Sequence, residues 1–186
     1  MSLKPIKFLL GYFIMNSEKL VITLFAEDRP GIVRLLSDII LEHSGNWLES
    51  SLSRLCGQFA GIIHVGVSES QRAQLLAALD ALSSDGLNVT VHSGVKELPD
   101  SNAETAIELI VEANDRPGIV EEISSALADI NVNVEQMETS CESASMAGYQ
   151  IFIASLWVSL PDGCTTEHLE QALEDVSDDL IVSIVA

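Results

Sequence analysis

An α+β fold of two βαββαβ domains, each an antiparallel sheet with helices on one face, is what the 186-residue sequence predicts. Three observations predict it. The stretch EDRPGIV at residues 27–33 returns as NDRPGIV at residues 114–120. The offset from Asp28 to Asp115 is 87 residues, too long for a solenoid repeat and right for two whole domains. Around each copy, β-branched runs and amphipathic stripes recur in one order. Apolar residues make up 47% of the chain, enough to supply two cores.

In the first half, LVITLFAE (residues 20–27) is long and β-branched enough for a buried strand. Asp28-Arg29-Pro30-Gly31 breaks it. A helix then carries Ile32, Leu35, Leu36, Ile39 and Ile40 on one stripe, with Arg34, Asp38 and Glu42 outside. Gly45 is expected to end that helix in a left-handed conformation. Strands at 46–55 and 58–68 meet at Cys56-Gly57. A helix at 71–82 shows Leu75, Leu76, Leu79 and Leu82, and Asp85-Gly86 turns into a last strand at 87–92.

The second half repeats this order. A strand at 106–113 meets the Asp115-Arg116-Pro117-Gly118 break, and a helix follows with Ile119, Ile123, Leu127 and Ile130 on its stripe. Strands at 133–142 and 149–160 flank SASMAG, and a helix at 166–176 and a strand at 180–185 finish the pattern. Each half reads as a ferredoxin-like domain, the first at 19–94 and the second at 105–186, with a linker at 95–104. Residues 1–18 read as an N-terminal leader or extra arm. Their apolar run at 8–15 is far short of the ~20 residues that span a bilayer, and no small-x-small cleavage site follows. Edge strands of such sheets invite pairing, so the domains are expected to pack together and the chain to form a homodimer.

A net charge of −19 and a pI near 4.2 argue against direct nucleic-acid binding, because phosphates would be repelled. After Arg116 there is no Lys or Arg at all, which makes the second half an anionic body. Solubility explains that; so does a docking face for a basic protein. Cys56, Cys141 and Cys164 lack metal-ligand spacing and fit a reducing, cytoplasmic compartment. The histidines (His43, His64, His92, His168) are scattered, and His64 lies in an apolar strand as a packed or hydrogen-bonded residue would. Trp47 and Phe59 read as core aromatics. No nucleophile–base pair or phosphate loop stands out, so neither catalysis nor a cofactor is expected.

The repeated tetrapeptide has a physical use. Proline suits the first turn of a helix, and glycine lets a ligand or backbone come close. The N–H groups of Gly31, Ile32 and Val33, and of Gly118, Ile119 and Val120, are then without intrahelical partners. Together with the positive end of the helix dipole they offer a carboxylate site, and Asp28 or Asp115 offers a counter-charge for an ammonium. The alternative is that each aspartate only caps its helix.

With this order of elements and this motif, the chain resembles the ACT domain family, small regulatory modules that commonly bind amino acids. SGNWLESSLSRLCGQFAGIIHVGV and SASMAGYQIFIASLWVSLPDG resemble segments of a tandem-ACT group, the glycine cleavage system transcriptional repressor family. The resemblance implies a ligand between paired domains, touching the first strand–helix loop and the start of the second strand. Those positions are Asp28, Arg29, Gly31, Ile32 and Asn46 in one copy and Asp115, Arg116, Gly118, Ile119 and Asn133 in the other. Asp28 and Asp115 stand where binding members often have Asn. The resemblance further implies a non-catalytic sensor of a small amino acid, glycine foremost, acting through a partner transcription regulator. A regulatory subunit of a separate metabolic enzyme, or a ligand-silent scaffold, fits the same pattern. Similar motif-bearing domains precede catalytic domains in phosphoserine phosphatase and formyltetrahydrofolate deformylase, and no such domain is expected here.

Overall fold

The computed structural model describes residues 17–93, 106–143 and 149–185. The expected leader up to residue 16, the linker and all but the first residue of SASMAG lie outside them. The chain divides into two compact units, Met1–Glu97 and Leu98–Ala186. In the first, β1 (Ser17–Glu27), α1 (Ile32–Glu42), β2 (Asn46–Leu55), β3 (Gln58–Ser68), α2 (Glu69–Ala81), a 3-10 turn (Leu82–Asp85) and β4 (Leu87–Ser93) follow one another. The second repeats the plan with β5 (Ile107–Asn114), α3 (Ile119–Asp129), β6 (Asn133–Ser143), β7 (Gln150–Ser159), α4 (Thr166–Glu174) and β8 (Ile181–Val185).

Both sheets are four-stranded and antiparallel, ordered β2-β3-β1-β4 and β6-β7-β5-β8. Each is the ferredoxin-like arrangement that the element order predicts, with the second and fourth strands at the edges. Strand alternation sets the layers. Leu20, Ile22, Leu24 and Ala26 of β1 are buried with Leu36 and Ile40 of α1 and Leu75 and Leu79 of α2. In the second unit Leu109 and Val111 meet Ile123, Leu127, Leu169 and Leu173 in the same way. Truncating a fully buried leucine such as Leu36 or Leu127 to alanine costs about 2–5 kcal/mol, a large share of a small domain's stability.

Local chemistry fixes the connections. Cys56 (φ 50°) and Gly57 (φ 76°) are both left-handed, the two-residue hairpin turn whose twist suits flanking strands. A β-bulge between Trp47 and Glu49 recurs between Val134 and Gln136. It leaves Leu48 exposed and was not visible in the alternation of apolar residues. One expectation is corrected: α1 ends through a left-handed Ser44 (φ 55°), matched by Asn131 (φ 56°), and not through Gly45. The Gly45 N–H bonds Ile40 O at 2.8 Å, and an added Cβ would meet Ile40 at 2.9 Å, so glycine there serves close packing. His64 is half-buried, on the face of β3 opposite to the core residues Ile63 and Val65.

Candidate functional site

The two Asp-Arg-Pro-Gly loops sit at the same place in their units, between the first strand and the first helix, but they are furnished differently. In the first, the Asp28 N–H bonds Gly57 O at 2.9 Å, which ties the loop to the β2–β3 hairpin. Arg54, near the end of β2, places its Nε 2.8 Å from Asp28 Oδ2. Gly31 is left-handed (φ 96°), and α1 starts after it without a side-chain cap. The capping alternative is therefore excluded for Asp28: its carboxylate faces Arg54. Nor is there a side-chain cap at α3, which follows Gly118 (φ 94°).

Asp28, Arg29, Gly31, Ile32, Val33, Arg34 and Phe59 line a cleft of about 250 Å³. The Ile32 side chain is 4% exposed and belongs to the core, so only its backbone can serve a ligand. Ile119 is 3% exposed and limited likewise. Arg29 donates from Nη2 to Asp85 O at 2.9 Å, clamping the loop to the turn ahead of β4.

In the second loop the Asp115 N–H bonds Gln150 O at 2.9 Å, the counterpart of the first tie. There the likeness stops. The residue 87 positions after Arg54 is Cys141, so a thiol stands where Asp28 has a guanidinium. Partial desolvation raises the Cys141 thiol above its ordinary value, and the charge and hydrogen bonding of Asp115 raise it further. Leu35 is replaced by Glu122, which accepts two bonds from Arg116 at 2.6 Å each. That fork holds the Glu122 carboxyl below its ordinary value and the guanidinium above its own. The Ser177 hydroxyl, at 2.5 Å, and then the Asn114 amide at 3.0 Å hold the Asp179 carboxyl down, with Arg116 adding to the effect. Arg116 is thus committed within its own unit, and the loop carries a closed network.

Neither unit alone brings its asparagine to its loop. Asn46 pairs with Gly66 at one end of β3, whereas Asp28 bonds Gly57 just before the other end. Nine strand steps at about 3.3 Å put them roughly 30 Å apart. Asn133 pairs with Ser159 at the far end of β7 from Gln150, and its amide donates to Glu135 at 2.8 Å. A side-by-side alignment of the two repeats would have exposed Arg54, Cys141 and Glu122; reading each motif alone did not.

Residues 18–92 match the family model described as the ACT domain. This stretch is an ACT domain. The second, ACT-like unit shares the βαββαβ plan. Among solved structures, an unknown protein from Galdieria sulphuraria is 26% identical, with a TM-score of 0.73 over 92% of this chain and all of the other. A candidate glycine cleavage system transcriptional repressor is 20% identical, with a TM-score of 0.67 over 91% of this chain and 98% of the other. The second likeness shows the tandem ACT-type fold and nothing further. A comparison with curated proteins finds no match. Among the described residues, no helix is long and apolar enough to cross a membrane. No group of three or more His, Cys, Asp or Glu could hold a metal ion there.

Proposed function

We infer that the chain is a non-catalytic regulator that senses a small amino acid at the loop of its first ACT domain. The observation that carries this reading is the Asp28–Arg54 pair beside the start of α1. A zwitterion needs an anion and a cation a few ångströms apart, with backbone donors for its carboxylate. A ligand entering between Asp28 and Arg54 would exchange that ion pair for two of its own, its ammonium on Asp28 and its carboxylate on Arg54 and the helix start. The cleft volume, about 250 Å³, lies below the ~300–1,000 Å³ of drug-sized pockets and suits a small ligand. The second copy has a thiol for the cation and a glutamate on its arginine, so the sensing site is assigned to the first.

The sensed state reaches its target through a partner transcription regulator, with glycine as the first ligand to test. The two segments that resemble the glycine cleavage repressor family support this, and the net charge of −19 argues against direct DNA contact. The test is a thermal-shift screen of the amino acids on the purified chain. A ligand at a hundred times its Kd stabilises by about 2.7 kcal/mol, and a small amino acid is expected to raise Tm accordingly. No shift with any amino acid at millimolar concentration overturns the sensing reading.

A further inference from the structure

The inner face of the second unit's helix pair is closed by its core, but the seam between α3 and α4 opens outward as a groove of about 400 Å³. Its floor is apolar: Ala126 and Ile130 from α3, Ala172 from α4 and Val176 just beyond it, all half-buried. Its rim is acidic, with Glu121 and Asp129 on one wall and Asp175 on the other, all exposed. Glu122 also lines it, but Arg116 neutralises that carboxylate.

The first repeat supplies an internal comparison. At the positions of Glu121 and Ala126 it has Arg34 and Ile39, a cation on the rim and a bulky side chain on the floor. The duplicated scaffold therefore does not require this lining; the acidic residue at 121 and the small one at 126 belong to the second copy. No Lys or Arg follows Arg116, so nothing later in the chain offsets the rim. An apolar floor between acidic walls complements one kind of occupant: a helix with an apolar stripe flanked by lysines or arginines. We propose that the α3–α4 groove docks a cationic amphipathic helix of a protein partner. This rests on the reading of the chain as a regulator acting through another protein, and it gives that partner a contact surface and a chemistry.

The probe is a synthetic amphipathic helix with Leu at i, i+3, i+4 and i+7 and Lys elsewhere, titrated into the full chain by fluorescence anisotropy. A variant with Glu in place of Lys serves as its charge-reversed control. Binding of the cationic probe is expected, with amide shifts in NMR spectra centred on Ala126 and Ala172. Asp129→Lys/Asp175→Lys should weaken it at least tenfold, and Ala172→Trp, which fills the floor without changing charge, should do the same. Glu69→Lys/Asp80→Lys, the same charge change on α2 of the first unit, should leave affinity within twofold. Equal losses from both charge-reversal pairs would show mere attraction to an acidic protein and overturn the proposal. So would absence of probe binding, shifts mapping to the first unit, or a wild-type dimer that Ala172→Trp dissociates in light scattering. Circular dichroism and the wild-type amino-acid response verify that each variant is folded. A chain that answers an amino acid but ignores the probe loses only this inference; one that docks the probe but answers no amino acid loses the sensing reading.

Discussion

Arg54 Nε lies 2.8 Å from Asp28 Oδ2, joining the end of β2 to the loop that starts α1. The repeat replaces that guanidinium with the Cys141 thiol beside Asp115. This substitution leaves a charge pair in one loop and, in the other, a carboxylate without a cation at that position, beside the further change of Leu35 to Glu122. The expectations that follow turn on this difference.

The ion pair should matter little for stability. The Arg54 side chain is 71% exposed and that of Asp28 29%, so solvent screens their attraction. Arg54→Ala should cost less than about 1 kcal/mol in urea unfolding. Its effect should appear instead on amino-acid affinity, weakened about tenfold in calorimetry. A large stability loss with unchanged affinity would reverse the assignment.

Cys141 should respond to Asp115. Desolvation and the neighbouring carboxylate both disfavour the thiolate, which is the reactive form. Asp115→Asn removes the negative charge, so the Cys141 pKa should fall towards its ordinary value. Alkylation by iodoacetamide near pH 8, followed by peptide mass spectrometry, should then be faster at Cys141. An unchanged or slower rate would show that Asp115 does not govern this thiol.

The architecture was legible because two different periodicities repeated in register. Leu20, Ile22 and Leu24 alternate as a one-sided strand must, and Ile32, Leu36 and Ile40 fall on one helical face. The motif gave the loop, and the left-handed glycines at its end are consistent with that reading. What the loop touches was not legible, because Arg54 is 26 residues from Asp28 and reaches it only through the hairpin register. The same limit hid the Glu122–Arg116 fork: at an offset of six across a proline turn, no helical spacing rule marks it. Asn46 lies far from its own loop for a related reason, since a strand that starts after a returning helix starts at the opposite end of the sheet.

Acid should loosen the second loop. The folded-state pKa of Glu122 is lowered, first by its bonds from Arg116, so its contribution is present above the ordinary glutamate value, about 4.3. It is lost as pH falls through the lower folded value. Asp179, also lowered, acts with the same sign. Glu122→Gln should therefore reduce stability at neutral pH and flatten the decline below about pH 4.3 in urea midpoints. A decline as steep as wild type would place the acid sensitivity elsewhere.

Glycine at the helix start should be a backbone requirement. Nothing lies within 4 Å of a Cβ built on Gly31, so Gly31→Ala meets no clash and only the left-handed φ of 96° opposes it. The expected loss is about 1–2 kcal/mol. Gly118→Ala, at φ 94° with Glu122 Oε1 3.8 Å away, should lose a similar amount. Urea unfolding of both variants measures it, and a neutral or stabilising result would contradict the conformation.

Calorimetric titration of a small amino acid, glycine first and serine next, into wild type and two single variants tests the sensing site most directly. Asp28→Asn keeps the shape of the side chain and removes the charge that the proposed site sets against the ligand's ammonium. A charge-assisted hydrogen bond contributes roughly 1.5–3 kcal/mol, so affinity should fall about ten- to a hundredfold. Asp115→Asn, in the copy that has Cys141 for a cation, should bind as wild type does. Unchanged affinity in Asp28→Asn, or a loss confined to Asp115→Asn, would contradict the assignment of the ligand to the first ACT domain.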